Sequence, residues 1–159
     1  MHGDLTGGLR QMEPAFEPLH GIGLFTLLPA VVMVDTLARA GRDSDALALI
    51  AQLLSKTNDP EVGMFVSELW RIRGELTLRE RGNDTALAER SLQAALRIAR
   101  GQEATLLQAR ASIALAWHFA ESGRREEARM VLAESGVTAL ADGAAPEFVA
   151  AAEVSAMLG

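Results

Sequence analysis

Residues 40–42 read Ala-Gly-Arg, residues 81–83 read Arg-Gly-Asn, and residues 122–124 read Ser-Gly-Arg. The glycines at positions 41, 82 and 123 therefore recur at a constant interval of 41 residues. Each one ends an apolar stretch with helical periodicity and precedes another that contains alanine. Because glycine readily adopts the left-handed conformation that ends a helix, this spacing predicts stacked helical hairpins with a turn at each glycine.

Composition indicates one all-α domain. The chain has 159 residues, of which 49% are hydrophobic and only 4% aromatic, and it lacks tyrosine. A balance rich in Ala and Leu favours close helix packing over sheets. Without cysteine there is no disulfide, thiol nucleophile or cysteine-ligated metal, which agrees with a cytoplasmic location.

Glycine and proline divide the chain into two parts. Residues 1–20 contain three glycines and two prolines, so we expect a weakly ordered segment. Residues 21–159 form the predicted repeat domain. Helical spacing predicts seven helices. The first runs from Phe25 or Pro29 to Ala40, the second from Asp43 or Ser44 to before Asn58, and the third over about Glu61–Arg81. The fourth runs from Asp84 or Thr85 to Arg100, and the last three cover about Ala104–Glu121, Arg125–Glu134 and Pro146–Met157. Pro29 is expected in a first turn and Gly101 as a helix stop.

The three repeats resemble the tetratricopeptide pattern of alternating large and small positions. The middle repeat carries Trp70 and Gly74 in its first helix and Ala88, Leu92 and Ala95 in its second. The third repeat matches at Ala116, Phe119, Gly123, Ala128 and Leu132, with Ser112 at a usually large position, and the first matches at Leu37, Gly41, Ala46 and Ile50, with Val34 at a usually small one. The resemblance implies a right-handed stack of antiparallel helical hairpins, about three plus a C-terminal helix. The interval of 41 exceeds the usual length of about 34 residues.

A second resemblance covers residues 24–135 and is carried by residues 68–76, 88–100 and 123–129. These stretches look like the C-terminal helical repeats of large bacterial signalling ATPases coupled to class III adenylate/guanylate cyclases or transcriptional regulators. In that family the repeats are the sensor or partner-binding part and hold no catalytic residues.

Charge and hydropathy argue against two classes of partner. The net charge is −6, and the arginines of the middle region alternate with glutamates, so there is no basic stripe for nucleic acid. Residues 18–34 are uncharged, but the stretch contains His20, two glycines and Pro29 and is too short to span a membrane. Acids at Glu13, Glu17 and Asp35 disfavour a signal peptide.

Motifs for catalysis or cofactor binding are missing from the sequence. There is no phosphate-binding loop and no Gly-x-Ser-x-Gly nucleophile motif. The one pair of interest is His118 and Glu121, three residues apart on a predicted helix, which leaves open a small enzyme or ligand-binding protein. We predict no catalytic residue, no metal and no cofactor.

The predicted binding site is the concave face formed by the first helix of each hairpin. Trp117 is the expected anchor, with Arg110 and Arg71 beside it, gripping an acidic or C-terminal peptide segment. The full set on this face is Asp35, Arg39, Glu68, Arg71, Glu75, Arg79, Arg110, Trp117 and Glu121. Alternatively, Glu68, Arg71, Glu75 and Arg79 pair along a solvated helix, and Trp117 belongs to the core.

The leading hypothesis is a non-catalytic protein-interaction or sensor module that binds a protein or peptide partner. A second is a self-associating structural protein, a homodimer that pairs through an exposed apolar helix at Leu24–Val34.

Overall fold

The computed structural model describes residues 24–56, 63, 65–80, 84–135 and 146–158, and all regular structure within these ranges is α-helical. The all-α prediction is thus confirmed. The helices are α1 (Leu24–Arg39), α2 (Asp43–Lys56), α3 (Val66–Arg79), α4 (Thr85–Gly101), α5 (Thr105–Glu121), α6 (Arg125–Ser135) and α7 (Pro146–Leu158). Residues 1–20, predicted to be weakly ordered, lie outside the described ranges.

Helix starts agree with the predictions in most places and differ in two. α4 begins at Thr85, one of its two predicted starts, and Asp84 caps it, because Asp84 Oδ1 accepts a hydrogen bond of 2.8 Å from the Leu87 amide. Pro29 lies inside α1, past the first turn where we expected it. α3 begins at Val66 rather than near Glu61, since the Val66 amide donates to the Gly63 carbonyl in a turn and Phe65 has non-helical dihedral angles.

Two of the three periodic glycines form the predicted left-handed turns. Gly41 has a φ of 72° and Gly123 a φ of 76°. The amide after each glycine donates back to the preceding helix, from Arg42 to the Leu37 carbonyl (3.0 Å) and from Arg124 to the Phe119 carbonyl (2.8 Å). The two turns are therefore equivalent in hydrogen bonding, while Gly82 lies outside the described residues.

The turn between α4 and α5 departs from the prediction. Gly101 is the last residue of α4, and the left-handed residue is Glu103, with a φ of 53°. The Ala104 amide donates to the Ala99 carbonyl at 3.0 Å, so the helix end is satisfied in the same way as at the two glycines. Glycine is thus not required for this turn, although a glutamate there is strained.

Contacts between helices follow a regular order. Every pair of successive helices from α1 to α7 is in contact. The odd-numbered helices α1, α3, α5 and α7 also contact one another in succession. The core forms two clusters, one around α1–α3 and one around α4–α7, and Trp70 contacts both. Contacts therefore link the helices both in chain order and between alternate, odd-numbered helices.

Helix α1 contributes most of its described apolar side chains to the core. Ala30, Val31, Met33 and Val34 are buried, whereas Val32 is 48% exposed. The expectation of an exposed apolar helix is therefore wrong for this half of Leu24–Val34, because α2 and α3 cover it. The side chains of residues 24–28 lie outside the description.

Gly74 allows α3 and α4 to approach closely. A Cβ atom at this position would lie 2.6 Å from Leu92 Cγ and 3.2 Å from the Ala88 carbonyl oxygen. The alanines that follow each hairpin turn, Ala46, Ala88 and Ala128, are all fully buried. Small residues thus occupy the sites of closest helix contact, as the large–small pattern predicts.

Candidate functional site

A cleft of about 430 Å³ opens between α3, α5 and α7. Charged residues and apolar residues both line it. The charged ones are Arg71, Glu75, Arg79 and Arg110, and the apolar floor consists of Leu78, Ile113, Ala114 and Ala150, with Trp117 beside it. Its volume lies within the range of ligand-binding pockets, which is about 300–1,000 Å³. Of the three helices that form it, α3 and α5 are first helices of predicted hairpins, and α7 is the C-terminal helix that follows them.

A buried ion-pair network forms one end of the cleft. Arg71 donates from Nε and Nη2 to the two carboxylate oxygens of Glu68, at 2.9 and 2.7 Å. Its Nη1 donates to Glu75 on the same helix. Arg110 Nη1 of α5 lies 2.8 Å from Glu68 Oε1, the oxygen that also accepts from Arg71 Nη2. One carboxylate therefore joins α3 to α5.

Solvent is largely excluded from the centre of this network. Glu68 is 4% and Arg71 8% exposed. Burial lowers the pKa of Arg71, but the hydrogen bonds that it donates to Glu68 and the negative charges of Glu75 and Glu68 together outweigh this effect and hold the pKa above its ordinary value. The guanidinium therefore stays charged, and this charge is compensated by two carboxylates.

These contacts correct the solvated-helix interpretation of α3. Glu68, Arg71 and Glu75 do pair at three- and four-residue steps, as predicted. The pairing is buried, however, because α5 lies across it. Arg79 takes no part and instead lies 3.8 Å from Asp43 of α2, with half of its side chain exposed.

Trp117 is both a cleft residue and a core neighbour. Its partly buried ring lines the cleft and packs against the core cluster around α4–α7. The two interpretations made from the sequence are thus compatible, since one face of an aromatic ring can pack while another borders a cleft.

The structure gathers only part of the predicted site. Glu68 lies beneath the cleft, and five predicted residues line it: Arg71, Glu75, Arg79, Arg110 and Trp117. Asp35 and Arg39 instead form a 2.6 Å ion pair with each other on α1. Glu121 is exposed at the end of α5 and is not among the lining residues.

Sequence reasoning missed the apolar floor. Ile113 lies three residues after Arg110, and Ala114 lies three residues before Trp117. Helical spacing alone therefore places both on the face of α5 that carries Arg110 and Trp117. Leu78 similarly precedes Arg79. Ala150 carries no such signal, because only tertiary packing brings α7 to α5.

His118 is buried beside Glu89 of α4. The side chain is 4% exposed, and Nε2 lies 3.8 Å from Glu89 Oε2 on α4. The same Glu89 oxygen accepts from Arg124 Nη1 at 2.6 Å. Glu121 lies on the exposed surface, and within the described ranges no three His, Asp or Glu side chains form a metal-binding group.

Among the described helices, none combines the length and the apolarity needed to cross a bilayer. Compared with protein-family models, curated proteins and solved structures, the chain has no match. The cleft is therefore the feature from which a function can be inferred.

Proposed function

We propose that this protein is a non-catalytic interaction module that binds a segment of a partner protein in the cleft between α3, α5 and α7. The observation that carries the proposal is the grouping of Trp117 and arginines around an apolar floor. Aromatic and arginine side chains dominate the energetics of protein interfaces, and a concave apolar site with a few polar groups is typical of binding.

We also infer that the helices form a tetratricopeptide-like stack of antiparallel hairpins. The equivalent turns at Gly41 and Gly123 and the succession of contacts among the odd-numbered helices support this arrangement. In such stacks the first helix of each hairpin lines a concave binding surface, and in the proposed arrangement α3 and α5, which line the cleft, are two of these helices.

The resemblance to the repeats of bacterial signalling ATPases suggests a biological setting. We propose that the cleft serves as the sensor or partner-binding part of a cytoplasmic signalling assembly. Catalysis in that assembly would belong to other modules, since the repeats of that family hold no catalytic residues.

The test is capture of partner proteins by the tagged, intact chain in its native host. We expect one stoichiometric partner for the wild-type chain and a loss of at least tenfold in recovery for Trp117→Ala, because the ring supplies contact area at the cleft. Ala150→Gln narrows the cleft from α7 without removing core packing and is expected to act in the same direction. Leu106→Ala, which removes an exposed side chain of α5 outside the cleft, is the matched control.

Circular dichroism and thermal melting would separate binding from folding in each variant. Equal recovery by wild-type, Trp117→Ala and Ala150→Gln proteins would contradict the proposal. Recovery of the chain with only itself, together with a dimer in sedimentation velocity, would favour the alternative of a self-associating protein.

A further inference from the structure

The charges around the cleft balance one another. Three of its lining residues are arginines and one is Glu75. Two further carboxylates, Glu68 and Asp43, each lie within ion-pair distance of a lining arginine. Among the described residues, three positive charges are thus matched by three negative ones, so a ligand with a net charge gains little Coulomb energy here. This balance favours an uncharged group.

The uncharged part of the lining is apolar and includes one aromatic ring. Leu78 of α3, Ile113 and Ala114 of α5 and Ala150 of α7 form the floor, and Trp117 of α5 adds its partly buried ring. Aromatic side chains bury a large apolar area each and pack against other rings in offset or edge-to-face arrangements. The floor therefore favours an apolar group, and Trp117 favours an aromatic one.

Arg79 stands beside Trp117 in the proposed stack. Helices α3 and α5 are joined where Arg110 contacts Glu68 at 2.8 Å. In a stack of antiparallel hairpins these two helices run in the same direction, so Trp117, seven residues after Arg110, is level with Glu75, seven residues after Glu68. Arg79 follows Glu75 by one helical turn, a rise of about 6 Å.

Arg79 can contact a ring without giving up its ion pair. Its Nη1 lies 3.8 Å from Asp43 Oδ1, which is longer than a hydrogen bond, and 52% of its side chain is exposed. A guanidinium forms hydrogen bonds in its plane and stacks on aromatic rings through its face. An ion pair and a ring contact therefore do not compete for the same part of the group.

The protein already contains this arrangement where α5 meets α6. Arg124 donates hydrogen bonds to both Glu89 and Glu127, and its guanidinium carbon lies 4.2 Å from the centroid of the Phe119 ring. This distance is within the range of about 6 Å for a cation–π contact. An arginine with its hydrogen bonds in use thus still stacks on an aromatic ring.

We propose that the cleft binds an aromatic side chain of the partner segment, with the ring packed on the apolar floor between Trp117 and the guanidinium of Arg79. No ion pair has to break, since Arg71, Glu75 and Arg110 keep their present partners. This inference rests on the proposed function, because it specifies the anchor residue of the bound segment.

The probe is a phage-displayed library of random twelve-residue peptides, selected on the full chain. Enriched sequences are made as acetylated, amidated and labelled peptides and titrated by fluorescence anisotropy. We expect one aromatic residue to recur at a fixed position, and its replacement by leucine to weaken binding about three- to tenfold, because leucine keeps apolar area but loses the ring. Raising sodium chloride from about 0.1 to about 1 M should change the affinity by less than about threefold, since the charges of the cleft are balanced.

A double-mutant cycle between Arg79 and the peptide tests the ring contact itself. Arg79→Met keeps a long apolar side chain but removes the guanidinium. It should weaken binding of the aromatic peptide about three- to fivefold and leave binding of the leucine peptide unchanged. Arg90→Met, on the exposed surface of α4 and outside the cleft lining, is the matched control. Thermal melting checks that each variant is folded.

The possible results separate the inference from the proposed function. Enriched peptides without a recurring aromatic residue, or aromatic peptides that bind wild-type and Arg79→Met proteins alike, would overturn the inference and leave peptide binding in place. A loss of affinity of about tenfold or more at high salt would also overturn it, because charge would then dominate recognition. If no peptide is enriched over an unrelated helical protein, or if the selected peptides bind Ala150→Gln like wild type, both the inference and the proposed function fail.

Discussion

At the scale of single residues, burial decides which charges support the fold and which remain available. Arg71 and Arg79 lie on the same helix and face the same cleft, yet one is enclosed by Glu68, Glu75 and α5 while the other is half exposed. A buried charge that loses its partner costs far more than an exposed one. The two arginines should therefore respond very differently to replacement.

We expect Arg71→Met to lower the free energy of unfolding by about 2–4 kcal/mol, because it leaves Glu68 buried with only Arg110 to compensate it. Arg79→Met should cost less than about 1 kcal/mol. Urea unfolding followed by circular dichroism measures both. The double variant Glu68→Gln/Arg71→Met should be more stable than Arg71→Met alone, since the buried carboxylate is removed together with Arg71 and only the partly exposed Glu75 loses its partner. Equal stability of Arg71→Met and Arg79→Met would contradict the buried network.

Arg71 should contribute no pH dependence in the usual working range. Its pKa is raised in the folded state, so its contribution to stability is fully present below the ordinary arginine pKa and is lost only as the pH rises through the folded value. That interval lies above the pH at which the protein would be studied.

Two buried serines differ in hydrogen bonding and should respond oppositely to replacement by alanine. Ser67 Oγ donates to the Ala95 carbonyl at 2.9 Å and joins α3 to α4. Ser112 is fully buried, and in the described part of the chain its hydroxyl has no hydrogen-bond partner. We expect Ser67→Ala to destabilise by about 1 kcal/mol and Ser112→Ala to be neutral or stabilising, by up to about 1 kcal/mol. Thermal melting of the two variants side by side checks this, and a destabilised Ser112→Ala protein would show that its hydroxyl is satisfied.

At the scale of helices, close approach and turn geometry impose the requirements. Gly74 lies against Leu92 and the Ala88 backbone, whereas Gly101 has open space where a Cβ would lie. Gly74 lies within α3 and Gly101 is the last residue of α4, so the two helical glycines differ in position as well as in the packing around them.

We expect Gly74→Ala to lower stability by about 1–2 kcal/mol, because Leu92 is fully buried and the Ala88 carbonyl cannot move independently of α4. Gly101→Ala should be neutral or stabilising, by at most about 1 kcal/mol, through helix propensity. Denaturant titration gives both values. If Gly74→Ala is as stable as Gly101→Ala, the α3–α4 contact is less constrained than the structure indicates.

The turns show how far a repeat pattern in sequence extends to structure. The prediction from glycine spacing is confirmed at Gly41 and Gly123, where positive φ angles are found. The turn at Glu103 escaped prediction, because a glutamate has no preference for the left-handed region and only the surrounding helices hold it there. The sequence therefore predicts a left-handed turn where a glycine occupies the turn position. It does not predict a left-handed turn that packing imposes on another residue type.

At the scale of the whole molecule, the sequence by itself determined the all-α class, most helix boundaries and the small–large pattern of the contacts. It did so because helical periodicity, caps and glycine turns act over only a few residues. Sequence reasoning also predicted that Arg71, Glu75, Arg79, Arg110 and Trp117 share one face, and these five residues line the cleft.

Only the tertiary structure decided which of these residues are buried and which meet. The sequence does not show that α5 covers Glu68 and Arg71, that Asp35 and Arg39 pair with each other on α1, or that α7 completes the cleft through Ala150. These outcomes depend on contacts between residues far apart in the chain. Burial and long-range ion pairing follow from the way whole helices pack, which local periodicity does not encode.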